Sequence, residues 1–272
     1  MSDTPPIEYA FPDLRKWEKG AAPYIHVIES GKPGPTVMLT ALTHGNEVSG
    51  AVVVDALLER GVKPRQGTLI LAFNNIEAYH SFDPRTPFKS RMVDEDFNRT
   101  WGRLDQPATT VETRRAQIVR PFVERADLLL DLHSMHDDGV PLMLSGPLDK
   151  GVALAKKVGA PYDIIRDAGH AAGMRMRDYG GFGDAASSKN ALLVECGQHW
   201  ELGSAEVARE TMLRVLRDLG TLDAADVAAY LPAAPRPAAR LIEITAAITV
   251  ATDRFAFTRD FVGMEVVGQR GT

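Results

Sequence analysis

Thr40-Ala41-Leu42-Thr43-His44-Gly45-Asn46-Glu47-Val48-Ser49-Gly50 holds a strand end, a corner and a helix start. The apolar run Pro35 to Leu42 reads as a buried strand, and Val48 to Leu58 carries helical periodicity. His44 and Glu47 stand three apart at the junction, where they can lie on one face about 5 Å from each other. Imidazole and carboxylate are both ligands of first-row metals. Gly45 and Asn46 between them suit the tight or left-handed backbone of a corner. Alone, His-x-x-Glu has a plain structural alternative: a histidine near the cap and a glutamate in the first helical turn, facing the macrodipole. A third ligand further along the chain decides between the two.

Outward from this junction the chain repeats the pattern. Gly67 to Asn74 is a second continuous apolar run. Strand, helix and strand at this spacing make a βαβ unit, which predicts an α/β fold with a mixed, largely parallel sheet and helices on both faces. Tyr24 to Glu29 alternates like a half-buried strand. A third apolar strand, Asp127 to Ser134, and a fourth, Ala191 to Gly197, each end on polar residues. Pro141 to Leu144 reads as a short strand. Helices are expected over Glu112–Ala126, Lys150–Val158 and Ala205–Leu219. From Asn75 to Asp105 periodicity is lost, and a loop of roughly thirty residues inside a compact domain usually carries function. Asp167 to Asn190, rich in glycine, is a mobile-loop candidate. The proline/alanine stretch 231–239 is a linker, which divides the chain into a catalytic domain over 1–230 and a partial β module over 240–272. About 33 residues are too few for an independent core.

With 272 residues, 44% hydrophobic and 25% charged, the chain can bury a substantial core. A net charge of −5 argues against a general nucleic-acid binder and against an anionic membrane surface. No apolar run approaches the roughly 20 residues of a membrane span, and Met1 to Phe11 lacks a secretory pattern. One cysteine allows no intrachain disulfide, so a reducing, cytoplasmic setting is expected. A homo-oligomer is left open.

In open α/β sheets ligands bind where strands end. Here the strand ends offer His44 with Glu47, then His133, then Glu195. Two imidazoles and one carboxylate, with a position left for water, is the catalytic zinc pattern. Glu195 is then a second carboxylate, placed to act as general base on that water and as acid toward a leaving amine. Asp131, two before His133 on a strand, points to the same side and could orient its imidazole; a strand-end turn residue is the alternative. Cys196 reads as a packed small residue. In the irregular loop, Arg91 and the pair Asn98-Arg99 suit a substrate carboxylate, since guanidinium grips carboxylate with a two-pronged fork. Asp94, Glu95 and Asp96 are the competing local partners, above all for Arg85 and Arg103.

Four motifs, in order, resemble the succinylglutamate desuccinylase/aspartoacylase branch of the zinc carboxypeptidase superfamily. They are Thr43 to Gly50, Arg91 to Arg99, Asp131 to Ser134 and Val194 to Gly197. The resemblance implies one zinc ion per chain on His44, Glu47 and His133, and Glu195 as catalytic acid/base. It also implies substrate contacts from Arg91, Asn98 and Arg99, with Arg91 helping at the oxyanion. It further implies a zinc carboxypeptidase-like sheet followed by a C-terminal β domain. Ala185 to Ser188 stands where aspartoacylases carry a substrate-binding arginine, with Arg175, Arg177 and Lys189 the cations nearby. Asn74-Asn75 replaces the asparagine-proline usual after the second strand.

The sequence therefore predicts a zinc-dependent deacylase hydrolysing the amide of an N-acyl amino acid or similar small carboxylate-bearing amide. A metallocarboxypeptidase acting on peptides and an inactive small-molecule binding protein are the alternatives.

Overall fold

The structure is a computed structural model, and it describes residues 5–233 and 237–268. Parts of the expected linker (234–236) and of the two flanking units (1–4 and 269–272) lie outside the described residues. In chain order come β1 (Ile25–Glu29), β2 (Thr36–Ala41), α1 (Ser49–Glu59), β3 (Thr68–Phe73) and α2 (Ile76–His80). Then follow α3 (Val111–Arg125), β4 (Leu128–Met135), β5 (Leu142–Leu144), α4 (Asp149–Val158) and β6 (Asp163–Arg166). The remainder is β7 (Asn190–Gln198), α5 (Leu202–Asp218), α6 (Ala224–Ala228) and β8 (Arg240–Glu243). The strands form one sheet in the order β1-β3-β2-β4-β7-β5-β6-β8. Only β1 on β3 and β5 on β7 run antiparallel, so the sheet is mixed and largely parallel, as the βαβ reading required.

Both faces of the sheet are covered, which is why its central strands are apolar without alternation. Val37, Leu39, Leu69, Leu71, Leu130 and Leu132 pack with residues of α1, α4 and α5 on one face. Met38, Ile70 and Leu129 pack with Ala116, Val119 and Val123 of α3 on the other. Side chains alternate along a strand, so Asp131 and His133 stand on the α3 side, beyond Leu129. The register sets Thr40 against Asp131 and His133 against Glu195.

α3 carries two buried charges on its inner face. Arg115 donates to the carbonyls of Phe73 (2.8 Å), Asn74 (2.7 Å) and Pro23 (2.8 Å), tying the end of β3 to the helix. Glu112, fully buried, faces the loop before the helix.

Several local expectations change. The loop between α2 and α3 contains single 3-10 turns over Pro87–Arg91, Phe97–Arg99 and Trp101–Arg103. The left-handed corner residue is Leu42 (φ 57°), not Gly45 or Asn46. Gly45 is glycine for a different reason: a Cβ there would lie 2.4 Å from backbone atoms of Ala78, Tyr79 and Ser90. Beyond the linker the strand-like alternation forms one strand, β8, which adds in parallel to β6 at the edge of the main sheet. No helix among the described residues is long and apolar enough to cross a membrane.

Candidate metal centre and active site

His44 and Glu47 precede α1, which begins at Ser49, so Glu47 is not a first-turn helix residue. The turn is closed by the Glu47 amide on the His44 carbonyl at 3.2 Å. It folds His44 and Glu47 against the end of β4. There Glu47 Oε1 lies 2.7 Å from His44 Nδ1, and Oε2 lies 2.8 Å from His133 Nδ1. All three side chains are buried, with ligand atoms within 4.8 Å of one another.

The outward nitrogens of both imidazoles meet carboxylates. His133 Nε2 lies 2.7 Å from Asp131 Oδ2, while Asp131 Oδ1 accepts from the hydroxyls of Thr40 and Thr43, each at 2.8 Å. Asp131 is therefore an imidazole partner, not a strand-end turn residue. His44 Nε2 lies 3.0 Å from Asp96 Oδ1. Arg91 Nη2 also lies 2.9 Å from that nitrogen, but a guanidinium only donates, and its acceptor is Asp96 Oδ2 at 3.1 Å. With Nε2 of each ring turned to a carboxylate, Nδ1 of each ring faces Glu47. A carboxylate on the far nitrogen is the usual support of a metal-bound imidazole.

This donor set fits a divalent cation. Nδ1 of both imidazoles and the Glu47 carboxylate converge on one point, with the Arg91 guanidinium at its edge, 3.2 Å from Glu47 Oε1. The charges respond accordingly. Burial opposes protonation of His133, yet Asp131 and Glu47 raise its pKa well above the ordinary value. Burial is likewise outweighed at His44, where Glu47 and Asp96 raise the pKa. Burial would raise Glu47, but the two imidazoles hold it well below the usual carboxylate range. The pocket favours positive charge at its centre.

Glu195 stands beside the cluster on β7. Burial first, then the Glu47 carboxylate, pushes its pKa up to about 7. Its Oε2 is buried and has no hydrogen-bond partner among the described residues. A buried carboxylate oxygen left unbonded costs free energy unless a ligand or water meets it.

These groups line a cavity of about 620 Å³, within the range of small-molecule sites. Arg91, Asn98, Arg99, His170 and Arg175 form part of its wall, and Phe261 and Gly263 of the C-terminal segment also face it. Arg91 is bound to Glu47 (3.2 Å) and Asp96. Arg99 donates to the Asn98 carbonyl at 2.8 Å and has no carboxylate partner among the described residues. Asn98 Oδ1 accepts from the Met176 amide at 2.8 Å, which leaves its NH2 as the group to face a ligand. Arg103 pairs with Glu95, one of its expected partners, whereas Arg85 pairs with Asp83 instead of Asp94, Glu95 or Asp96. Arg175 reaches the cavity but is held by Asp167 and Asp178. Arg177 is buried on the carbonyls of Ser145 and Ala191, and Lys189 reaches the Ala126 carbonyl. Cys196 is buried. A separate groove of about 420 Å³ between α1, α5 and α6, aliphatic at its floor and edged by Arg60, Glu206, Arg209 and Asp226, touches none of these groups.

Sequence reasoning missed Asp96 as an imidazole partner. It weighed Asp96 only as a local mate for arginine, and nothing in the spacing reveals that the loop folds back onto His44. His170 and Phe261 were missed because loop residues carry no periodicity.

The sheet thus ends on a buried His-Glu-His cluster that could hold a metal ion, with a carboxylate alongside. The sequence model of the succinylglutamate desuccinylase/aspartoacylase catalytic domain matches residues 33–219, and the chain belongs to that family of deacylases. No curated protein matches it in sequence. Among solved structures it is similar to a succinylglutamate desuccinylase/aspartoacylase from Rhodobacter sphaeroides, with 20% identity and a TM-score of 0.57 over 73% of this chain and 59% of that one. A succinylglutamate desuccinylase from Silicibacter sp. gives 24% identity and a TM-score of 0.58 over 73% and 60%. The ectoine utilization protein EutE (DoeB) from Ruegeria pomeroyi, solved with product bound, gives 20% and 0.58 over 80% and 64%. At these identities the likeness is one of fold. The chain spans about 60% of the length of these structures.

Proposed function

We propose that this chain is a zinc-dependent deacylase that hydrolyses the amide of an N-acyl amino acid or a similar small carboxylate-bearing amide. The observation that carries the reading is the unpartnered, buried Glu195 Oε2 beside the convergent His44, Glu47 and His133 donors. Bound by those three residues, zinc would supply a Lewis acid and a water of lowered pKa. Glu195 takes a proton from the attacking water and returns it to the departing amine nitrogen. The amide C–N bond breaks, and the products are a carboxylic acid and an amine. A carboxyl group with a raised pKa is suited to both transfers. Arg99, with no carboxylate partner among the described residues, holds the substrate carboxylate, with the Asn98 NH2 beside it. Arg91, fixed by Glu47 and Asp96, presents positive charge where the oxyanion develops. The small cavity favours this substrate over an extended peptide. The catalytic unit is the domain before the linker; the segment beyond it adds β8 to the same sheet instead of a separate β module, and Phe261 to the wall of the site.

Metal analysis of the wild type and of His133→Ala by elemental mass spectrometry tests the centre. About one zinc per chain, lost in the variant, is expected. A panel of N-acetyl and N-succinyl amino acids then tests the reaction. Glu195→Gln should keep the metal and lose on the order of 10²–10⁴-fold in turnover. A wild type that takes up no zinc sinks the reading, and full activity in Glu195→Gln sinks the acid/base role.

A further inference from the structure

The segment 91–99 carries Arg91, Asp96, Asn98 and Arg99, but it has almost no regular structure to hold it. One side chain outside it accounts for its middle. Glu112, at the start of α3, has no exposed surface and pairs with no cationic side chain among the described residues. Its Oε1 accepts from the Val93 amide at 2.7 Å and from Asn75 Nδ2 at 3.1 Å. Its Oε2 accepts from the amides of Asp94 (3.1 Å) and Glu95 (3.2 Å). Three successive backbone donors thus converge on one buried carboxylate. In return Asp94 Oδ2 accepts from the Val111 amide at 2.7 Å. The two ends of the segment are pinned separately, by Gly45 N on the Arg91 carbonyl (3.0 Å) and by Asn98 Oδ1 on Met176 N.

We propose that Glu112 is a positioning residue for substrate binding. Its carboxylate draws three amide groups to one side and so fixes the turn between Arg91 and Asp96. That turn sets where the Arg91 guanidinium meets Glu47, where Asp96 meets His44, and where Arg99 enters the cavity. A buried carboxylate is a costly device for stability alone, since an apolar residue of similar volume fills the same space without desolvation cost. What the charge adds is a single conformation: an acceptor-only group with two oxygens orders donors that a methyl group leaves to water. Asn75, which stands where the family pattern has proline, joins the same clasp through its amide.

The proposal rests on the reading of Arg91 and Arg99 as substrate-facing, and its test is built in two arms. Glu112→Gln keeps size but turns one oxygen into a donor facing donors; Glu112→Asp keeps the charge and withdraws it by about one methylene. The first arm is amide hydrogen exchange with zinc content measured alongside. In Glu112→Gln the amides of 93–95 should lose at least tenfold in protection while those of β2 and β4 keep theirs. Glu112→Asp should recover part of the loss, and it carries the same readouts should Glu112→Gln not fold. The second arm compares the best-hydrolysed N-acetyl or N-succinyl amino acid with its carboxamide. A displacement of about 1 Å in a positioning group costs on the order of 10²-fold, so kcat/KM for the carboxylate substrate should fall by that factor and its preference over the carboxamide should shrink. Unchanged protection at 93–95, or protection lost equally from the central strands, overturns the proposal. So does a variant that loses both substrates in equal proportion. A wild type that hydrolyses no member of the panel refutes the deacylase reading, while the exchange arm still decides whether Glu112 holds the turn.

Discussion

His199 should make the fold sensitive to mild acid, and the size of the effect follows from its surroundings. It is 1% exposed, next to Trp200 and Phe88, with Nδ1 2.9 Å from the Ser134 hydroxyl. Burial first, and the cationic Arg91 and His44 after it, pushes its pKa down to about 4. The unfolded chain takes up the proton near the ordinary value of about 6.5, so the folded state gains from His199 above that pH. That contribution is lost as pH falls from about 6.5 toward 4. The whole shift is worth about 3 kcal/mol, of which about 2 kcal/mol disappears between pH 7 and pH 5. At pH 5 the loss is set by the unfolded value alone, so a cation in the nearby cluster, which lowers the folded value further, leaves it unchanged. His199→Gln is neutral throughout and serves as the reference. Urea unfolding of both proteins at pH 7 and pH 5 gives the double difference, in which every other titrating group cancels. The wild type should lose about 2 kcal/mol more than the variant, or roughly 4–8 °C in Tm. Equal losses within about 0.5 kcal/mol would refute the assignment of His199 as a neutral buried imidazole.

Three further outcomes follow from the packing around the site. Asp131→Asn leaves the shape of the strand end but weakens the grip on His133 Nε2, so zinc affinity measured by chelator competition should drop about 10–100-fold. Gly45→Ala drives a methyl group into three backbone atoms at 2.4 Å, and thermal unfolding should report a loss of about 3 kcal/mol or an insoluble protein. Arg115→Met strips a donor from the carbonyls of Pro23, Phe73 and Asn74, and denaturant midpoints should show a loss of about 3 kcal/mol with zinc content retained.

The central sheet was readable because parallel strands buried on both faces cannot alternate. Val37–Leu39, Leu69–Phe73, Leu128–Leu130 and Ala191–Val194 stand out as unbroken apolar runs for that reason. Their polar ends carried the site, since a shared sheet brings strand ends together whatever lies between them in sequence. β6 was not readable: Asp163–Arg166 offers two apolar residues between charges, and its pairing with β5 and β8 makes it a strand. The left-handed Leu42 was hidden because the conformation belongs to the corner rather than to the residue type. The alternation past residue 240 suggested more strand than β8 supplies, because edge-strand formation depends on a neighbour that sequence pattern does not reveal.

The two imidazole partners differ in a way that matters for how the site behaves. Asp131 sits two residues from His133 on the same strand, locked by Thr40 and Thr43 inside the sheet. Asp96 comes from the loop that also carries Arg91 and Arg99, and it touches His44 and Arg91 together. One half of the His-Glu-His cluster is thus set by the sheet, and the other half by the segment 91–99. On the proposed function, a disturbance of β4 would reach the cation site through His133. A disturbance of 91–99 would reach Arg91, Arg99 and the orientation of His44 at once. Metal affinity and substrate recognition are separable at the strand end and coupled at the loop, and α3, which clamps that loop, is part of the site although no atom of Glu112 faces the cavity.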